Sequence, residues 1–104
     1  MIDKDKISTQ IVDVLKKIYD PEIPVNIYDL GLIYDILIDD DGNVEIKMTL
    51  TSPSCPAVEP MLQEIYDKTR VIENVKSVVL NIVFDPPWDK SMMSDEAKLD
   101  LGLI

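Results

Sequence analysis

The chain has 104 residues, the length of one small domain, and carries 20 acidic against 10 basic side chains, one cysteine and no histidine. An internal disulfide is thereby excluded, a Cys/His zinc site lacks its ligands, and no Ser-His-Asp or Cys-His catalytic pair can be assembled. A formal charge of −10 repels phosphates and so argues against a nucleic-acid partner.

The first element announces itself by spacing. Ile7, Ile11, Val14, Leu15 and Ile18 share one helical face, with Lys and Asp on the other. This predicts a helix over 4–18, capped by Asp3 or Asp5. It must end near Tyr19, because Asp20 precedes Pro21 and is biased away from the α region. Residues 20–31 then hold two prolines, a glycine and no clear period. A connection that long is often functional.

Leu32 to Ile38 is apolar and β-branched, a strand. The Asp39-Asp-Asp-Gly-Asn43 cluster supplies a tight turn. After it, Val44, Ile46, Met48 and Leu50 alternate with Glu45, Lys47 and Thr49, a strand with one buried and one wet face. The segment Thr51-Ser-Pro-Ser-Cys-Pro56 breaks it. A second helix over 57–69 presents Val58, Met61, Leu62, Ile65 and Thr69, with Pro60 tolerable in its first turn. Glu73-Asn74 is a turn, and 75–84 is a third strand. Asp85-Pro-Pro-Trp88 ends that strand, and a short helix capped by Ser94 closes at Gly102.

The order α-β-β-α-β-α predicts a single α+β domain over 1–104, a two-layer sandwich with a three-stranded mixed sheet covered on one face by helices. The third strand's neighbour is left open: strand two in parallel, or strand one in antiparallel. Connectivity still brings the irregular segments together. Strands two and three leave the sheet at the end where strand one enters it, so 20–31, 51–56 and 85–88 meet on one edge. No apolar stretch approaches the ~20 residues a bilayer requires. The N-terminus lacks the cationic start and apolar core of a secretory signal. A cytoplasmic protein is expected, and a lone thiol fits that compartment.

On this edge Cys55 stands just before a helix, whose free N–H groups and dipole favour thiolate. The alternative is an inert buried cysteine. Asp20 and Glu22 read as ligands, a proton acceptor or plain turn residues. Thr51 reads as a hydrogen-bond donor to a bound group or as the end of a strand. Trp88 is a partner anchor or a lid on the core. Met92 and Met93 read as packing residues.

Asp20-Pro-Glu22, Asp29-Leu-Gly-Leu-Ile-Tyr34, Met48-Thr-Leu-Thr-Ser-Pro-Ser-Cys-Pro56 and Asp85-Pro-Pro-Trp88 with Met93-Ser94 together resemble the SufT/PaaD-like family of metal-sulfur cluster biosynthetic factors. The resemblance runs from the first helix to the final Leu-Gly-Leu. It implies an iron-sulfur-cluster-assembly-type domain that matures iron-sulfur proteins as a carrier or an adaptor. A carrier or adaptor is expected over an enzyme, with a thiol enzyme using Cys55 for acyl or sulfur transfer as a third reading. It places the family's reactive cysteine at Cys55, its paired acids at Asp20 and Glu22, and its loop threonine at Thr51. The PaaD branch, which assists an oxygenase complex, usually carries a cysteine-rich C-terminal segment. This sequence shows none, so the general maturation branch is expected, with an oxygenase-complex subunit as the alternative. The implied partners are iron-sulfur assembly proteins and client apoproteins. One thiolate cannot hold a cluster that typically takes four. Any cluster is therefore transient and shared, with Cys55 as one ligand, Glu22 or Asp20 as weak oxygen ligands, and a second subunit or a client completing the shell.

Overall fold

The first helix, α1, spans Lys4–Leu15 in the computed structural model, which describes residues 3–21, 23–51 and 58–102. Asp3 is its cap, with the carboxylate accepting from the Lys6 N–H at 3.1 Å. Ile7, Ile11 and Leu15 are buried, as their spacing requires. The helix ends three residues before the periodicity does. Lys17 and Ile18 donate to the carbonyls of Val14 and Leu15, which tightens the last turn. The backbone then extends. Tyr19 forms an isolated antiparallel bridge with Asn26, and the Ile27 N–H donates to the Ile18 carbonyl at 2.8 Å. Ile18 still reaches the core, but strand-like pairing with residues 25–27 wins over continued helix.

Strands β1 (Ile33–Ile38) and β2 (Asn43–Met48) form the expected hairpin. Asp39 builds its turn. One carboxylate oxygen accepts from the Asp41 and Asn43 N–H groups, the other from the Asn43 side-chain amide, all at 2.9 Å. Val44, Ile46 and Met48 are buried, as alternation predicts. Thr49 departs from it. Expected on the wet face, it is fully buried, and its hydroxyl finds no hydrogen-bond partner among the described residues.

Helix α2, Val58–Arg70, buries Met61, Ile65 and Thr69 and has Pro60 in its first turn. It packs on α1 and on β3, Ser77–Ile82. The sheet order is β1-β2-β3, with β2 antiparallel to β1 and parallel to β3. This settles the open question: β2 is central, and the third strand pairs with it from Asn43↔Ser77 to Met48↔Ile82. Helices and the inner sheet face share one hydrophobic cluster. A short 3-10 turn at Lys90–Met92 precedes α3, Asp95–Asp100, whose cap Ser94 accepts from the Ala97 N–H at 3.2 Å. Among the described residues, no helix is long and apolar enough to cross a membrane.

Candidate functional site

Because β2 and β3 are parallel and β1 is antiparallel, the incoming chain of β1 and the outgoing chains of β2 and β3 lie on one edge. The expected convergence is realised in hydrogen bonds. The Trp88 indole N–H donates to the Leu30 carbonyl at 2.8 Å, and the Ser94 N–H to the Asp29 carbonyl at 2.7 Å. The Tyr34 hydroxyl donates to the Pro86 carbonyl at 2.7 Å. The Thr49 N–H donates to the Leu32 carbonyl at 2.8 Å. The Asp85–Ser94 segment thus lies as a strap along the 20–31 loop.

That loop is not a loose excursion. Val25, Ile27 and Leu30 are buried in the core. Asn26 shapes its turn, accepting from the Asp29 N–H at 2.9 Å while its amide donates to the Asp29 carboxylate at 2.8 Å. Gly31 lies beneath the strap, where an added Cβ would meet the Met92 carbonyl oxygen at 2.4 Å.

Asp20 is nearly buried, 6 % exposed. One of its oxygens accepts from the Ile23 N–H at 3.0 Å, and the other accepts from the Thr51 hydroxyl at 3.3 Å. Two of the sequence-predicted site residues are therefore brought together. Their bond fastens the start of the 20–31 loop to the point where the chain leaves β2. A buried carboxylate is costly without such donors, so Thr51 and Ile23 explain how Asp20 is tolerated there. Trp88 is half-buried, its ring packed against the core and its N–H satisfied within the chain. Met93 is buried, which bears out its reading as a packing residue. Glu22 and Cys55 lie outside the described residues. Among the described residues, no group of three or more Cys, Asp or Glu side chains is placed to hold a metal ion.

Sequence reasoning placed residues 20–31 on this edge without singling out Asn26 or Gly31, and it missed Tyr34 as a member. The Asn-x-x-Asp spacing of Asn26 and Asp29 was the available signal for the first, since Asn side chains close turns on nearby backbone. For Tyr34, whose partner is 52 positions away, no local signal existed.

The Asp20–Thr51 bond makes a prediction. Thr51→Val should destabilise the protein by about 1 kcal/mol, because it strips a donor from a nearly buried carboxylate, while Thr51→Ser should lose much less. Urea unfolding of the two variants checks this. Equal losses would show that the hydroxyl carries no more weight than the γ-methyl, which Thr51→Ser removes and Thr51→Val keeps.

Residues 8–80 match the model of the family described as "Iron-sulfur cluster assembly protein". The chain belongs to that family. A Porphyromonas gingivalis protein named "Fe-S protein maturation auxiliary factor" is 48 % identical over 94 residues, 90 % of each chain. The Staphylococcus aureus "Fe-S protein maturation auxiliary factor SufT" is 38 % identical over 86 residues, 83 % of this chain and 98 % of that one. These relatives make it a SufT-like member of the iron-sulfur cluster assembly family. A crystal structure of a domain of unknown function from Bacillus anthracis superposes with a TM-score of 0.87 at 33 % identity, covering 96 % of this chain and 95 % of that one. The family match takes in Asp20, Glu22, Thr51 and Cys55, and stops before the strap.

Proposed function

We propose that this chain takes part in maturing iron-sulfur proteins as a carrier, with Cys55 as its reactive centre. The observation that carries this reading is the edge itself. The 20–31 loop, the end of β2 and the strap are hydrogen-bonded together where the Thr51–Pro56 segment departs and α2 begins. The relatives' names supply the process: two are called iron-sulfur maturation auxiliary factors.

The chemistry follows from what the chain has. Four thiolates typically hold an iron-sulfur cluster. This sequence offers one cysteine and no histidine. A cluster passing through it is therefore cargo in an incomplete shell. Cys55 supplies one thiolate, Glu22 or Asp20 weak oxygen ligation or a proton acceptor, and a second subunit or the client the rest. Such a shell favours handing on over keeping. Cys55 precedes Val58, the first described residue of α2, by three positions, and the positive end of a helix favours thiolate.

The test is anaerobic reconstitution with iron and sulfide, comparing wild type with Cys55→Ser. Loss of cluster loading and of client maturation in the variant is the expected result. Equal loading and equal maturation would overturn the carrier role. The adaptor reading, favoured by the −10 charge as a guide for basic partners, predicts that Cys55→Ser matures clients normally.

A further inference from the structure

Alternation along the strands leaves the face of the sheet away from the helices uncovered. At its hairpin end, Leu37, Glu45 and Val79 form one cross-strand row. Leu37 is 41 % and Val79 56 % exposed. With neighbouring strands ~4.8 Å apart, the two aliphatic residues stand about 10 Å from each other, with Glu45 between them. They border an open cleft of about 400 Å³ that Asp39, Asn43 and Ser77 also line.

The polar groups of this cleft are set in advance. The Asn81 amide donates to Glu45 at 3.0 Å and orients its carboxylate. The Ser77 hydroxyl donates to Asn43 at 2.7 Å. The amide side chain of Asn43 holds the Asp39 carboxyl below the usual carboxylate range. Among the described residues, two carboxylates and no base line the cleft. Lys47, the next base on this face, stands one row further along, opposite Asp35.

We propose that this cleft docks an extended segment of a partner protein in which lysine or arginine alternates with aliphatic residues. A long basic side chain fits the geometry: its methylene stem lies between Leu37 and Val79 while its charged head reaches Glu45 or Asp39. Charge complementarity favours that occupant over a second copy of this chain, which would bring another −10 to the interface. The cleft sits at the opposite end of β2 from the edge where the 51–56 segment departs. From Asn43 to Met48 that is roughly 17 Å of strand. A docked partner thus leaves the edge open, and the inference does not depend on any role for Cys55.

The probe is a short extended peptide alternating valine with arginine, titrated into isotopically labelled protein in ~0.1 M salt, where exposed charges still act over about 10 Å. Amide shifts centred on Leu37, Glu45 and Val79 are expected. Binding should weaken about tenfold or more in Glu45→Lys, less in Glu45→Gln, and not at all in Cys55→Ser. A control peptide with glutamate in place of arginine should not bind. Four results would overturn the proposal: equal binding of both peptides, no binding of either, unchanged binding by Glu45→Lys, or concentration-dependent dimerisation through this face.

Discussion

Truncation of Ile46 to alanine should cost about 3–4 kcal/mol, the middle of the range for emptying a well-packed core position. Ile46 is fully buried on the central strand, in register with Ile36 on one side and Leu80 on the other. The side chain is therefore enclosed by both neighbouring strands as well as by the helical layer, and the strand pairing leaves little freedom for collapse into the void. A domain of this size has only about 5–15 kcal/mol in hand, so the unfolding midpoint in urea should fall by a large fraction of its value. Val79→Ala, on the exposed face of the same sheet, should change stability by no more than about 0.5 kcal/mol. Similar shifts for the two variants would contradict the placement of β2 at the centre of the sheet.

The second large effect is expected at Gly31. Its φ is +87°, in the region that favours glycine, and an added Cβ would stand 2.4 Å from the Met92 carbonyl oxygen and 2.8 Å from its carbon. Gly31→Ala therefore combines a backbone penalty of about 1–2 kcal/mol with a collision against main chain rather than a yielding side-chain tip. Gly102 provides the comparison: its φ is +74° and, among the described residues, nothing lies within 4 Å of the same added atom. Gly102→Ala should thus show the conformational cost alone, and the excess loss in Gly31→Ala measures the strap's contact with the loop. Movement of the strap should also loosen the bond from Trp88 to the Leu30 carbonyl, giving a red-shifted tryptophan emission in Gly31→Ala only. Equal destabilisation by the two variants, with unchanged emission, would show that the close approach at Gly31 carries no weight.

Several features were legible before any fold was known. The alternation in β2 named Val44, Ile46 and Met48 as core, and the spacing in α1 named Ile7, Ile11 and Leu15. A helix cap at Asp3 or Asp5 and the Asp-Gly turn followed from side-chain chemistry that acts over three or four residues, and the structure selects Asp3 as the cap. The meeting of the irregular segments on one edge followed from connectivity, and the bonds of Trp88, Tyr34 and Thr51 realise it.

Other features were decided only by tertiary contacts. Ile18 fits the helical stripe of α1, yet its backbone pairs with Ile27, because a carbonyl that meets an N–H across the chain has no reason to continue a helix. Thr49 fits the wet face of β2, yet it is buried where the strand enters the crowded edge. Asp20 read more readily as a turn residue than as a site residue; the donation from Thr51, 31 positions away, makes it a fastening between two segments.

The sequence alone determined the order of elements, the faces they bury, the acidic charge and the presence of a single thiol. Tertiary structure decided that β2 is central, with β3 beside it in parallel, and that Asp20 binds Thr51. Residue periods report which side of an element is apolar. They carry no record of which distant backbone group will complete a hydrogen bond, and that choice set both the sheet order and the edge.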